Sequence, residues 1–153
     1  MERIRCNSEN GNTETEKEIE ERVMLNFEYM LGGRMQSIIL GGASSSPQLR
    51  EFLAKCFHCR VTDGFGMSEA GGIMNNNRLN TTVEYKLIDV PDMNYFTTDK
   101  PHPRGELCVK TNHMFTGYYK NEELTNNAMD ENGWLHTNDI VEELGPRQIR
   151  IIE

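Results

Sequence analysis

The interval from Met35 to Thr62 leaves the chain little choice of fold. Met35 to Leu40 is a short apolar run with two isoleucines and glycines on both sides, the pattern of a buried strand in a parallel sheet. Ser46 can cap a following helix, and Pro47 suits its first position. Leu49, Phe52, Leu53, Cys56 and Phe57 then recur at i, i+3, i+4, i+7 and i+8, so this helix should bury one face. A second short strand follows at Arg60 to Thr62. Strand, helix and strand at this spacing make a βαβ unit with a right-handed crossover. Such units bind ligands beyond the carboxyl ends of their strands. That rule selects Gly41 to Ser45 and Asp63 to Glu69, which should lie side by side.

The second of these segments carries the chemistry. Val61 to Gly72 reads VTDGFGMSEAGG, a glycine-spaced turn with an aromatic, a hydroxyl and a carboxylate within five residues. Glycines there allow positive φ or a close approach to a ligand. Phe65 can stack on a flat ring, Ser68 can donate to a phosphate, and Glu69 can hold a hard cation. Together they suit a nucleotide with magnesium. Each also has a plainer reading, Phe65 as a core aromatic and Glu69 as a carboxylate at a helix N-terminus.

Outside this region, Met1 to about Glu16 is a polar tail that cannot bury enough surface to order itself. Lys17 to Leu31 has helical periodicity, stopped by Gly32-Gly33. After Asn80 the chain turns β-rich. Strands are expected at Thr81 to Val90 and Glu106 to Lys110, with turns at Pro91-Asp92 and Pro101 to Gly105. A short helix is expected from Asn121, its cap, to Met129. Two further strands, Trp134 to Leu144 and Gln148 to Ile152, join at Gly145-Pro146. The expected organisation is a tail (1–16), an α/β segment (17–80) and a β-rich segment (81–153).

A formal charge of −8 argues against nucleic acid and against an electrostatic membrane role. No apolar run approaches ~20 residues, so no transmembrane segment is expected. The N-terminus lacks the apolar stretch of a signal peptide, and a cytoplasmic location is the default. Of the four cysteines, Cys56 and Cys59 have C-x-x-C spacing around His58, but no second pair completes a zinc site and the motif closes a helix rather than opening one. Buried, reduced cysteines are expected. His58, His102, His113 and His136 have no spacing that demands a metal or a triad.

Six short motifs then occur in a fixed order: Leu31-Gly32-Gly33-Arg34, Gly41-Gly42-Ala43, Gly64-Phe65-Gly66-Met67-Ser68-Glu69, Arg104-Gly105-Glu106-Leu107, Thr116-Gly117-Tyr118-Tyr119-Lys120 and Gly133 to Asp139. Their order and spacing resemble the adenylate-forming enzymes. Val83 to Pro91 and Tyr95 to Leu107 most resemble the adenylation domain of carboxylic acid reductases, and long-chain acyl-CoA synthetases share the general motifs. The resemblance runs from about Val23 to Glu153. It implies an α/β fold, the C-terminal half of the large adenylation subdomain, with a βαβ parallel-sheet part before a small β-rich part.

The resemblance also implies chemistry, in which a carboxylic acid is joined to the α-phosphate of ATP and the acyl group passes to a thiol of coenzyme A or phosphopantetheine. Carried over residue by residue, Gly64 and Phe65 would line the adenine pocket, with Phe65 on the ring, and Asp63 and Gly66 beside them would belong to the nucleotide site. Gly41, Gly42 and Ala43 would pass beside the adenine and the reacting carboxylate. Ser68 would donate to the α-phosphate, Glu69 would coordinate magnesium, and Asp139 would accept from the ribose hydroxyls. A plainer reading leaves Asp139 solvated on a strand edge. The family's Thr-Gly-Asp reads Thr137-Asn138-Asp139 here, and asparagine for glycine should disturb the backbone beside the ribose site. The family's lysine-bearing phosphate loop and its mobile lysine subdomain lie outside these motifs. The expectation is therefore a fragment of an ATP-dependent carboxylate-activating enzyme, inactive alone, whose partner could be the missing half of the domain. The alternative is a non-catalytic nucleotide-binding or interaction remnant.

Overall fold

The computed structural model describes residues 15–43 and 45–152; the expected tail at residues 1–14 lies outside them. Two compact units emerge, one within Met1–Ile38 and Pro47–Arg60, the other within Ile39–Ser46 and Val61–Glu153.

The first unit is a helix pair. Helix α1 spans Glu16–Met30 and starts on a capping box. The Thr15 hydroxyl accepts from the Glu18 N–H, and the Glu18 carboxylate accepts from the Thr15 N–H at 2.7 Å. This reciprocal pair satisfies two otherwise orphaned donors. It sets the start one residue earlier than apolar periodicity indicates. Gly32 and Gly33 end the helix at φ 84° and 64°, where the Gly33 N–H returns to the Glu28 carbonyl at 2.9 Å. Helix α2 spans Pro47–Phe57. Phe27 meets Phe52 edge to face at 6.4 Å, and the Cys56 thiol donates to the Met24 carbonyl at 3.7 Å. Lys55 pairs with Glu20 at 2.8 Å. Only Cys56 and Phe57 of the α2 stripe are buried, while Leu49 and Phe52 stay exposed. Cys56 and Cys59 are free thiols; Cys59 is only partly buried, so the expectation of buried cysteines holds for one of the pair.

The strands form one eight-membered sheet in the order β1-β2-β3-β4-β8-β7-β6-β5. They are β1 (Ser37–Leu40), β2 (Arg60–Met67), β3 (Gly71–Asn75), β4 (Arg78–Leu79), β5 (Glu84–Ile88), β6 (Arg104–Lys110), β7 (Leu135–Gly145) and β8 (Gln148–Ile151). From β2 onward every neighbouring pair is antiparallel. The α/β class expected from the sequence is the fold observed. Two local expectations need correction. Strand β1 is not buried, since Ile39 is 65% exposed. The glycine-rich segment after Thr62 is not a turn: β2 continues through Met67 and pairs with β3, and only Ser68 to Ala70 form the turn.

The core of the second unit gathers Ile73, Leu79, Val83, Leu107, Val109, Leu135, Val141 and Ile149, all nearly inaccessible. Helix α3 (Glu122–Ala128) begins where Asn121 accepts from the Leu124 N–H at 3.0 Å, as its cap position predicts. The β7–β8 hairpin turns through Arg147 at φ 60°. Its guanidinium donates to the carbonyls of Asn80 and Val83, and the Tyr85 hydroxyl donates to Glu143 at 2.7 Å. These bonds fasten the β4–β5 connection to the hairpin. Burial pushes the Tyr85 phenol above its ordinary range, with the Glu143 bond adding to it.

Two glycines of β2 are fixed by close neighbours, Gly66 by backbone and Gly64 by a side chain. A Cβ on Gly66 would lie 2.5 Å from the Gly71 carbonyl oxygen, and one on Gly64 would lie 2.6 Å from the Ile39 side chain. Neither has a positive φ. Gly66→Ala should therefore destabilise the protein by about 1–3 kcal/mol through forced backbone displacement. Urea or thermal unfolding measures this, and wild-type stability in the variant would contradict the close approach.

Candidate functional site

Strand β2 carries Asp63, Gly64, Phe65 and Gly66, and all four line a cleft of about 450 Å³. Gly42, Ala43 and Ser45 of the β1–α2 loop form another wall, with Met74, Asn77, Asp139, Arg150 and Ile151 completing it. The two segments chosen by the strand-end rule do meet: the Ser45 hydroxyl donates to the Asp63 carboxylate at 2.5 Å. Asp63 is fixed further through its backbone, whose N–H donates to the Asn76 side chain at 3.0 Å and whose carbonyl accepts from the Asn76 N–H at 2.8 Å. Phe65 is partly buried against the core, as its plainer reading expects, and it also lines the cleft.

Asp139 reaches the cleft through an irregularity in β7. Glu106 pairs with Ile140 and Cys108 with His136, so two steps along β6 span four along β7. Bulges of this kind re-aim side chains. Asn138 absorbs the extra length at φ 58°, a left-handed conformation that asparagine tolerates better than most residues. The Glu106 carboxylate accepts the Asn138 N–H at 3.2 Å. Thr137, buried, donates to the Leu107 carbonyl at 2.9 Å and accepts from the Asp139 N–H at 3.1 Å. Asp139 is half-buried rather than solvated on an edge. Desolvation raises its carboxyl above the usual carboxylate range, with the Thr137 bond opposing.

The polar groups of the cleft are mainly acceptors. Asp63 and Asp139 contribute two carboxylates, whereas Arg150 is paired with Glu142. This arrangement suits a flat ring and sugar hydroxyls better than it suits phosphates.

Gly41, Ser68 and Glu69 do not line the cleft. Gly41 instead lies where a Cβ would be 3.1 Å from the Gly64 carbonyl oxygen. The Glu69 carboxylate accepts from the Tyr118 hydroxyl at 2.7 Å, and the Glu69 carbonyl accepts from the Phe115 N–H at 2.7 Å. Tyr118 packs edge to face on Phe115 at 5.0 Å. The Thr116 to Lys120 motif thus supports the turn bearing Glu69, a role the sequence pattern did not reveal. The bond to Glu69 raises the Tyr118 phenol. Sequence reasoning also missed Met74, Asn77, Arg150 and Ile151, which antiparallel pairing brings to β2 from distant segments.

An α/β sheet whose glycine-rich strand, adjoining loop and bulged strand frame one cleft is a domain of the adenylate-forming type. The family model for the AMP-binding enzyme matches residues 7–119, and the chain belongs to that family. It is similar to long chain acyl-CoA synthetase 6, peroxisomal, of Arabidopsis thaliana, at 45% identity over 134 residues, covering 80% of this chain and 19% of that protein. The adenylation domain of the carboxylate reductase from Mycobacterium chelonae superposes with a TM-score of 0.76 at 40% identity, covering 95% of this chain and 23% of the other. The adenylation and carrier didomain of carboxylic acid reductase from Segniliparus rugosus, solved in complex with AMP, gives 0.74 at 38% identity over 87% and 19%. The chain thus spans about a fifth of the length of these relatives. Among the described residues, no helix is long and apolar enough to cross a membrane.

Because its folded-state pKa is raised, Asp139 lends most stability when protonated, below the unfolded carboxyl value of about 3.9. That contribution is lost as pH rises through the folded value. Asp139→Asn should therefore melt higher than wild type at neutral pH, with the gap closing in acid. Thermal unfolding across pH checks both the sign and the convergence.

Proposed function

We propose that the cleft holds the nucleoside of ATP or of an acyl-adenylate, and that the chain contributes this part of a carboxylate-activating site. The carrying observation is the meeting of Phe65, Gly64, Ala43 and Asp139 in one cleft of nucleoside size. Phe65 offers the adenine a stacking face, the glycines let the ring approach the backbone, and Asp139 accepts from the ribose hydroxyls. Gly42 and Ala43 run beside the reacting carboxylate.

In the reaction this reading assigns, a carboxylate oxygen attacks the α-phosphorus of ATP. The bond to the β-phosphate bridging oxygen breaks, and pyrophosphate leaves. A thiol of coenzyme A or phosphopantetheine then displaces AMP to give the thioester. The substrate is a carboxylic acid of the fatty or related type. Such catalysis rests on positioning and charge stabilisation. Ser68 is the donor to the α-phosphate in this assignment.

Magnesium fits the donor chemistry of Glu69. A single hard carboxylate with substrate phosphates is a common magnesium set. Tyr118 occupies Oε1 and orients the group, leaving Oε2 to the ion. Bound there, magnesium would neutralise polyphosphate charge.

Calorimetric titration of AMP into the purified chain tests the cleft. Phe65→Ala should weaken binding roughly 5- to 150-fold, the worth of base–aromatic stacking. Asp139→Asn should weaken it roughly 10- to 100-fold through loss of charged hydrogen bonds. No binding by wild type, or equal binding by all three proteins, would overturn the assignment. Glu69→Gln should leave AMP affinity unchanged and remove most of the gain that magnesium gives to ATP. An unaltered magnesium effect would exclude Glu69.

A further inference from the structure

Glu106, Cys108 and His136 lie outside the cleft lining, and their ligand atoms all fall within 4.8 Å of one another. His136 Nδ1 is 3.1 Å from Glu106 Oε2 and 3.6 Å from Cys108 Sγ. We propose that these three side chains form a binding site for one divalent transition-metal ion of the zinc type, with a fourth position open to water.

Geometry is the main argument. Zinc binds sulfur at about 2.3 Å, imidazole nitrogen at about 2.0–2.1 Å and carboxylate oxygen at about 2.0–2.2 Å, with tetrahedral angles. Those bond lengths put sulfur and nitrogen about 3.5 Å apart, and nitrogen and oxygen about 3.3 Å apart. The observed separations match these two edges, which meet at Nδ1, within a few tenths of an ångström. The sulfur–oxygen edge, within 4.8 Å, would contract toward about 3.6 Å when the ion binds.

Without an ion, Nδ1 can fully serve only one of its two neighbours. A neutral imidazole nitrogen carries either one hydrogen or one lone pair. Nδ1 therefore cannot donate to Glu106 and accept from Cys108 at once, yet both converge on it. The same convergence excludes a nucleophilic triad, in which thiol and carboxylate would engage opposite ring nitrogens. The Cys108 thiol is moreover fully buried beside the imidazole. A coordinated metal would deprotonate it outright and release a proton on binding.

The scaffold fixes all three groups. Cys108 and His136 are cross-strand partners on β6 and β7. Glu106 is held by the Asn138 N–H at Oε1, which leaves Oε2 to face the imidazole. Thiolate and carboxylate together neutralise a divalent ion. Lys86 pairs with Cys108 across β5 and β6, but its charge is met by Asp130 at 3.2 Å and by the Trp134 ring at 4.8 Å. The side chains of His136 and Glu106 retain 28% and 15% exposure, enough for entry of the ion and its water. A donor set of sulfur, nitrogen and one oxygen favours zinc or cobalt over magnesium.

Cobalt(II) titration of the full chain, stripped beforehand with a chelator, is the test. A thiolate-to-cobalt charge-transfer band should saturate at equimolar metal and disappear when zinc is added. Cys108→Ser should abolish the band, and His136→Gln should weaken cobalt binding by more than about tenfold. The Cys6→Ser/Cys56→Ser/Cys59→Ser variant should keep it. Circular dichroism establishes that each variant is folded; should Cys108→Ser fail to fold, His136→Gln and Glu106→Gln retain the thiol and decide the question. No band in wild type at excess cobalt, a band surviving Cys108→Ser or His136→Gln, or loss of the band in the triple variant would each overturn the site. Zinc should also raise the melting temperature of wild type and leave that of His136→Gln unchanged; an equal rise in both would likewise overturn it.

Discussion

The mismatch between β6 and β7 is the constraint on which the cleft depends. Two steps on one strand against four on the other force β7 to leave the regular pleat, and Asn138 takes the left-handed conformation that makes this possible. Regular alternation would fix the side of the sheet on which Asp139 stands by strand period alone. The bulge removes that constraint. The Glu106 carboxylate and the buried Thr137 hydroxyl bind the distorted backbone, so the irregularity is satisfied by hydrogen bonds rather than left open. A local departure from ideal geometry thus becomes a stable way of presenting a carboxylate.

Strand β2 makes the opposite use of geometry. Its glycines let β3 and the residues around Ile39 approach where a side chain would stand. Crowded backbone on one side and the cleft on the other leave Phe65 as the aromatic group between them. The alternation of glycine and large residue in Gly64-Phe65-Gly66-Met67 is then a packing pattern first, from which the wall of the cleft follows.

Much of this was legible because it rests on local signals. Pro47 opening α2, Asn121 capping α3 and Gly32-Gly33 closing α1 are decisions made within one turn of chain. The β1–α2 loop lies beyond a strand end as the rule expects and meets Asp63, but Asp63 to Gly66 reach the cleft from within β2, and Ser68 and Glu69, past its end, stay outside the lining. What stayed hidden is set by long-range pairing. Arg150, Ile151 and Met74 enter the cleft only because β8 and β3 fall where they do in the sheet. Glu106, Cys108 and His136 are separated by up to 30 residues, and no ligand spacing in the sequence joins them. The extension of β2 through Met67 was missed for a different reason. Its glycines signalled a turn, while tertiary packing required a strand.

Asp139 shows why the site is assembled at some expense of stability. Half-buried, its carboxylate is desolvated, and the only opposing contribution comes from Thr137. A chain selected for stability alone would place a neutral residue there. The acidic group becomes reasonable if a ligand supplies the donors that folding withholds, because sugar hydroxyls would return to the carboxylate the hydrogen bonds lost from water. Asn138 fits the same logic. It accepts a left-handed backbone at less cost than most residues, and its N–H gives Glu106 a fixed partner. The left-handed backbone at Asn138 and the desolvated carboxylate at Asp139 are the two costs that ligand binding of the proposed kind would offset.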